Sequence, residues 1–214
     1  ITAYQLHANE NNGNYLLGFH PDAQGVLNTQ GEVITVSLTR ARYPFRLAPY
    51  FDYRMKNTVL VNRNEGQIRK QTGAMAAEYG LSAHPALGIN RYLVGGNLPA
   101  NRQTISWAND CITRQAQADT SVIVFASGGT TTIDGYEYVT PPTFPGRNWP
   151  ASAWQKESNP ALYGNVAARY SGKALCVFLD GSVRPLSIDE LRDMRLWSRV
   201  AAQNDDPHYQ LPNP

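Results

Sequence analysis

The sequence predicts an α+β fold: an N-terminal α-helix packed on a small antiparallel sheet with long loops, and a short C-terminal helix. Three observations predict it. Residues 1–13 have the pattern of a helix end, residues 174–186 have the pattern of a β-hairpin, and Ser187 with Glu190 has the pattern of a helix start. The chain of 214 residues suits a single domain over 1–214, because hydrophobic cores usually close at about 100 to 200 residues.

The opening segment, 1–13, is predicted to be the last turns of a helix. Ile1, Tyr4 and Ala8 recur at helical spacing, so they would share one face. The Asn-rich run that follows ends in Gly13, and Asn and Gly favour the left-handed conformation with which many helices end. Because the helix ends so early, we expect it to begin upstream of Ile1, in a longer protein.

The centre of the chain is predicted to contain short strands and helices. A strand is expected from Val33, followed before residue 53 by a short helix that Pro44 and Pro49 interrupt. Composition predicts a helix over 65–80 that stops at Gly80. The other predicted elements are a short strand at 88–96, a short helix at 104–117 and a fully buried strand at 120–127.

Residues 128–165 form a long segment rich in Gly, Thr, Pro and aromatic residues, in which we predict turns and loops. Long loops inside a domain are often functional, although a solvated surface loop is the ordinary alternative. Its aromatic rings could stack on sugars or on a protein partner, or about half of them could pack the segment onto the domain. The candidate binding residues are Tyr136, Tyr138, Trp149 and Trp154.

The strongest local pattern is a hairpin near the C-terminus. "ALCVFL" and "SVRPL" flank Asp180 and Gly181, and Asp-Gly suits a two-residue type I′ turn, in which both central residues have positive φ. Pro185 has no N–H to donate, so the second strand is predicted to lie at the sheet edge or to end at that point. A capping box of Ser187 and Glu190 then predicts a short amphipathic helix. Trp197 is expected to pack this helix against the sheet.

No pattern of residues points to catalysis. "FASGG" lacks the spacing of a nucleophile elbow, the four histidines contain no i, i+4 pair, and no phosphate-binding loop occurs. We therefore expect no enzyme activity, no metal site and no cofactor, although the oxygens of 204–206 and of Asp134-Gly135 could bind Ca²⁺.

The net charge is only +2 and the basic residues are scattered, so we expect no nucleic-acid partner.

Cys111 and Cys176 allow two interpretations. They form one disulfide if the compartment is oxidising and their Cα atoms approach within about 7 Å, or they pack as two buried free thiols.

Few Lys residues, many Tyr residues and loops rich in Asn, Thr and Gly favour a location outside the cytoplasm.

The C-terminal region resembles a signature of bacterial pilin-like proteins, namely a His, nine residues, and Asp-Gly. Here Tyr170 and nine residues precede Asp180 and Gly181, and the run that ends at Trp197 is similar to the segment that often follows the signature. "YQLHANENNGNYL", "FRLAPYF" and "DTSVIVFASGG" are similar to further segments of the same family. Tyr170 replaces the His, so a role of the imidazole is lost, whereas a role in packing or hydrogen bonding is retained.

This resemblance implies the head domain of a type II secretion pseudopilin-like or type IV pilin-like subunit, a structural protein of a filament in the cell envelope. The family's N-terminal apolar helix, missing from this sequence, would anchor the subunit in the membrane and later pack in the filament core. The implied partners are other pilin-like subunits or secretion-system proteins. Of the implied structural residues, Asp180 and Gly181 form the turn, Tyr170 covers it or bonds to a backbone group nearby, and Trp197 docks the last helix. The alternative is a secreted binding module, with carbohydrate as a candidate ligand, that uses 136–163.

Overall fold

The computed structural model describes residues 1–55, 57–59, 65–68, 70, 77–98 and 105–213. It contains helices and one antiparallel sheet, as the predicted α+β class requires. The α-helices are α1 (Thr2–Glu10), α2 (Ser37–Ala41), α3 (Tyr43–Leu47), α4 (Ala77–Ala83) and α5 (Arg199–Gln203), and residues 65–68 are also helical. The strands are β1 (Leu87–Ile89), β2 (Ile123–Ser127), β3 (Lys173–Phe178) and β4 (Val183–Ser187).

The sheet has the strand order β1-β2-β3-β4, and every neighbouring pair is antiparallel. One row of paired residues crosses all the strands, from Gly88 through Ala126 and Cys176 to Arg184. β4 lies at the edge, which confirms the prediction from Pro185. The predicted buried strand at 120–127 is also confirmed, although it begins only at Ile123.

The two faces of the sheet cover different cores, because successive side chains of a strand point to opposite faces. The C-terminal core lies on the face of Ala174, Cys176 and Phe178 and is closed by residues of the C-terminal region such as Trp197. The N-terminal core lies on the other face, with Val177 among its residues. Its remaining buried residues include Tyr4, Ala8, Tyr43, Leu47, Phe125 and Leu179.

Helix α1 lies on the N-terminal core, which confirms the helix predicted at 1–13. Tyr4 and Ala8 are fully buried, and the ring of Tyr4 meets the ring of Phe125 edge-on at 5.7 Å between centroids. Gln5 Nε2 donates a hydrogen bond to the carbonyl oxygen of Leu179 just beyond β3, at 3.1 Å. The helix therefore contacts the sheet through both apolar packing and a hydrogen bond. No helix in the described part of the chain has the length and apolar character needed to cross a membrane.

The hairpin of β3 and β4 is confirmed, but the predicted two-residue type I′ turn is wrong. Phe178 N donates to Ser182 O, and Gly181 N donates to Phe178 O, each at 3.0 Å, so three residues, 179–181, form the loop. Gly181 has φ +87°, whereas Asp180 has no positive φ. This is the geometry of a turn that ends in a left-handed glycine, the common three-residue hairpin loop.

Two consecutive positive φ angles occur instead at the opposite end of β3. Ser171 and Gly172 have φ +52° and +79°. Tyr170 and Lys173 on either side exchange backbone hydrogen bonds of 3.0 Å. A tight turn with the φ signs of type I′ therefore starts β3 rather than ending it.

The capping box is confirmed, but the segment directly after it is not an α-helix. Ser187 N donates to Glu190 Oε2 at 2.7 Å, and Glu190 N donates to Ser187 Oγ at 3.2 Å. Two 3₁₀ segments, Glu190–Arg192 and Met194–Leu196, follow, because extended backbone at Asp193 ends the first and the Asp193 side chain caps the second. Trp197 comes after both segments, is fully buried in the C-terminal core, and precedes α5.

Four predictions in the centre of the chain need correction. The strand from Val33 is absent, since Val33 forms only an isolated bridge with Leu27, but the interrupted helix is confirmed as α2, α3 and the 3₁₀ segment Ala48–Phe51. The predicted end of the 65–80 helix at Gly80 is wrong, because α4 continues to Ala83. Residues 69 and 71–76 of this predicted helix lie outside the described residues.

The strand predicted at 88–96 spans only β1. It ends at Ile89 because the chain turns at once, with Val94 N donating to Asn90 O at 2.9 Å. The helix predicted at 104–117 is also wrong for its described part: a turn closed by Cys111 N donating to Trp107 O is followed by the 3₁₀ segment Gln115–Gln117. Residue 104 lies outside the described residues.

Candidate functional site

The signature residues Tyr170 and Asp180 lie at opposite ends of β3. Tyr170 is 39% exposed and is paired with Lys173, and the guanidinium carbon of Arg169 lies 5.4 Å from its ring centroid. The prediction that Tyr170 covers the turn at Gly181 is therefore wrong, because an extended strand separates the two turns. Tyr170 instead precedes the tight turn that starts this strand.

Asp180 stabilises the second turn through its carboxylate. Its Oδ1 accepts a hydrogen bond from Ser182 N at 2.8 Å, and Arg184 Nη2 lies 3.9 Å from Oδ2. Hydrogen bonds from the side chain and backbone of Ser182 lower the pKa of Asp180. The roles of Asp180 and Gly181 are local and structural, as the sequence predicted.

The two cysteines are free thiols in the structure, and both are fully buried. Cys176 lies on β3 in the C-terminal core, and Cys111 directly precedes the bridge of Ile112 with Val94. Burial raises the pKa of both thiols, to about 12 for Cys176. The structure thus corresponds to the interpretation of two buried thiols and not to the disulfide.

The candidate binding residues of 136–163 pack largely onto the domain. Trp149 is only 6% exposed and meets Tyr163 and Trp197 edge-on, each at 6.0 Å between ring centroids. Trp154 is partly buried against Tyr163 at 5.1 Å. Tyr136 and Tyr138 are also partly buried. These rings do not form an exposed stacking platform, and they act mainly as packing groups that hold the segment on the domain.

Glu137 joins this segment to two arginines from elsewhere in the chain. Arg42 Nε lies 2.8 Å from Glu137 Oε2, and Arg91 Nη1 lies 3.6 Å from Oε1. The guanidinium carbon of Arg91 also lies 3.8 Å from the centroid of the Tyr138 ring, which favours a cation–π contact. Burial raises the pKa of Glu137, and the two arginines oppose this rise.

A second group of ionisable residues lines a cavity of about 400 Å³ beside α1 and α3. His7 comes from α1, His20 from the following loop and Arg46 from α3. Arg46 Nε donates to Arg42 O at 3.3 Å, and its Nη2 donates to Leu17 O. We call this group the His7–His20–Arg46 cavity.

The sequence does not predict this cavity. Its three basic residues come from separate segments, and no motif or spacing links them. Arg46 stands within the "FRLAPYF" segment, but nothing in that segment indicates that two histidines lie near it. The Arg42–Glu137–Arg91 cluster was missed for the same reason.

Within the described part of the chain, no group of three or more His, Cys, Asp or Glu side chains could hold a metal ion. Of the acids considered for Ca²⁺, Asp205 Oδ1 lies 2.5 Å from Arg195 Nη1, and Asp206 Oδ1 accepts from His208 N at 2.9 Å. The backbone N–H of Asp134 donates a hydrogen bond to Gln67 Oε1 at 2.8 Å. The Asp205 and Asp206 carboxylates are thus each engaged by a neighbouring group of the chain.

No protein-family model, curated protein or solved structure matches this chain.

Proposed function

We propose that this chain is the head domain of a pilin-like subunit, a structural protein that assembles or is displayed in a secretion or surface filament. In this proposal the protein acts outside the cytoplasm, in the cell envelope, and is not an enzyme. A helix continuous with α1 anchors the full-length subunit in the membrane and packs against other subunits.

The observation that carries the proposal is the position of α1. The N-terminal helix lies across one face of an antiparallel sheet, where Tyr4 packs against Phe125 of β2 and Gln5 bonds to Leu179 just after β3. In a pilin-like head, the stem helix is expected to end in this way against the sheet. The hydrogen bond and the buried ring hold α1 against the sheet.

In this proposal, Leu6 on the outer side of the same helix contacts neighbouring subunits. Leu6 is 41% exposed, although Tyr4 and Ala8 on the same helix are fully buried. An apolar side chain exposed on the outer side of a helix is suited to packing against a second helix. In the proposed filament this side faces other stems, and the head loops face outward.

Cysteine cross-linking of the full-length protein in its source bacterium tests this proposal. Leu6→Cys places a thiol on the outer side of α1, and the two natural cysteines are buried and do not compete. We expect a ladder of cross-linked multimers in the envelope fraction. Leu162→Cys is the matched control, because Leu162 is 57% exposed but lies in the long loop segment, so it should stay monomeric.

Two results would contradict the proposal. One is that Leu6→Cys remains monomeric under conditions that cross-link other envelope proteins. The other is that the full-length protein is recovered in the cytoplasmic fraction.

A further inference from the structure

Arg42 and Arg46 lie one helical turn apart, and only Arg42 has an acidic partner. Arg42 Nε lies 2.8 Å from a carboxylate oxygen of Glu137. Arg46 bonds only to the carbonyl oxygens of Arg42 and Leu17, and no carboxylate of the described residues lies within 4.0 Å of its guanidinium.

The lack of an acidic partner at Arg46 favours the binding of an anion there. Desolvation lowers the pKa of Arg46 to about 9, so its guanidinium is still charged at neutral pH. A partly desolvated cation without a counter-charge is destabilising, and an anion that binds there removes much of that cost. Guanidinium groups bind carboxylate and phosphate oxygens with parallel N–H donors.

One ring nitrogen of each of two imidazoles beside Arg46 also lacks a hydrogen-bond partner among the described residues, although the ring of His7 meets that of Tyr50 edge-on at 5.7 Å between centroids. The Nδ1 atoms of His7 and His20 are buried and make no hydrogen bond. Burial first, and then the positive charge of Arg46, lower the pKa of both histidines, so the three basic groups are close enough to interact. Two acids face these groups: Glu10 lies near His7, and Asp22 lies near His20 and also lines the cavity. Both are exposed to solvent, which screens their charge.

The remaining walls of the cavity suit the carbon part of a ligand. The volume of about 400 Å³ falls within the range of about 300 to 1,000 Å³ that is usual for small-molecule sites. Its buried apolar lining comes from Leu16, Ala23, Val26 and Phe45. Apolar walls with a few convergent polar groups are the usual composition of such a site.

We propose that the His7–His20–Arg46 cavity binds a small organic oxyanion, with its charged oxygens on Arg46 and the two imidazoles and its carbon body against Phe45 and Val26. This inference does not depend on the proposed function, since a structural subunit and a binding module can both carry such a site. The two candidate oxyanions are a carboxylate and a phosphate monoester.

Benzoate and phenyl phosphate test the proposal, because they share an aromatic body and differ in the oxyanion. The readout is the NMR signal of the histidine ring carbons during titration of the intact chain, together with calorimetric affinity. We expect at least one of the probes to shift the His7 and His20 signals while that of the exposed His208 stays in place. Inorganic phosphate should bind more weakly than phenyl phosphate, because it has no apolar body.

Substitutions identify the groups that bind the probe. Arg46→Gln should weaken binding about tenfold or more, which corresponds to about 1.4 kcal/mol. Arg147→Gln is the matched control, because Arg147 is exposed and lies outside the cavity lining, so affinity should not change. If Arg46→Gln does not fold, His20→Gln decides: severalfold weaker binding supports the proposal, and unchanged affinity overturns it. The proposal is also overturned if neither probe shifts the His7 and His20 signals of the folded protein.

Discussion

The Glu137 carboxylate forms an ion pair with Arg42, with 2.8 Å between Oε2 and Nε, and the backbone carbonyl of Glu137 accepts a hydrogen bond from Ile89 N of β1 at 3.1 Å. One residue thus attaches the long segment 128–165 to the domain in two ways, through the side chain and through the backbone. Arg91, the second cation beside the same carboxylate, lies next to the end of β1. Ion pairs between largely buried side chains of Glu137, Arg42 and Arg91 therefore attach this segment to the domain.

Removing the carboxylate should destabilise the domain. We expect Glu137→Ala to lower the free energy of unfolding by about 3 kcal/mol, because it leaves two largely buried guanidinium groups without their acid. Urea unfolding followed by tryptophan fluorescence measures the change. Glu157→Ala, at an exposed position of the same segment, should change the stability by less than about 0.5 kcal/mol. Equal effects of the two variants would contradict a structural role for Glu137.

The hairpin turn requires glycine at position 181. Gly181 has φ +87°, and an added Cβ would meet only Ile1 Cγ2 at 3.8 Å, so backbone conformation and not a steric clash is the obstacle. We expect Gly181→Val to lower the free energy of unfolding by more than about 1 kcal/mol, because a β-branched residue resists positive φ. Thermal unfolding measures this effect.

Gly181→Asn is the matched control for the turn. Asn adopts the left-handed conformation more readily than Val, so its cost should be clearly smaller. If Val and Asn at this position gave the same melting temperature as the natural protein, the described turn geometry would be wrong.

Acid should destabilise the fold through its histidines. Burial lowers the pKa of His7, His20 and His84 in the folded state below the ordinary value of 6.5. The unfolded chain therefore takes up protons first as the pH falls below 6.5, and stability decreases until the folded histidines are also protonated. Melting temperatures between about pH 7 and pH 5 measure the decrease.

Single variants assign this pH dependence. His7→Gln and His20→Gln should each make the melting temperature less sensitive to pH, whereas His208→Gln, at an exposed position, should not. A pH profile that none of the variants alters would show that these imidazoles are not desolvated in the folded protein.

The cysteines should be unreactive until the protein unfolds. Both thiols are fully buried, and burial raises the pKa of each, which suppresses the reactive thiolate. A thiol reagent should modify neither cysteine in the native protein and both cysteines in guanidinium chloride. Finding no reactive thiol in the unfolded, unreduced protein would instead demonstrate the disulfide.

Local features of the fold were predictable because their physics is local. The hairpin and the capping box depend on residues a few positions apart, such as Gly181, Ser187 and Glu190, and all of these take the expected positions. The length of the turn was not predictable from Asp-Gly alone, since the pairing of Phe178 with Ser182 sets it.

Features that depend on tertiary contacts could not be predicted. Tyr170 was placed at the wrong turn because a linear signature does not reveal that an extended strand separates its two ends. The His7–His20–Arg46 cavity requires the loop after α1 to return to α3, and the burial of Trp149 requires contacts with Tyr163 and Trp197. No pattern within one segment contains this information.

The coding sequence upstream of Ile1, together with the intact mass of the mature protein from its source, tests the pilin-like proposal most directly. We predict an apolar helix of about 20 residues that runs directly into α1, preceded by a short basic leader. An upstream sequence without such a helix, or one that encodes another folded domain joined to Ile1, would contradict the proposal.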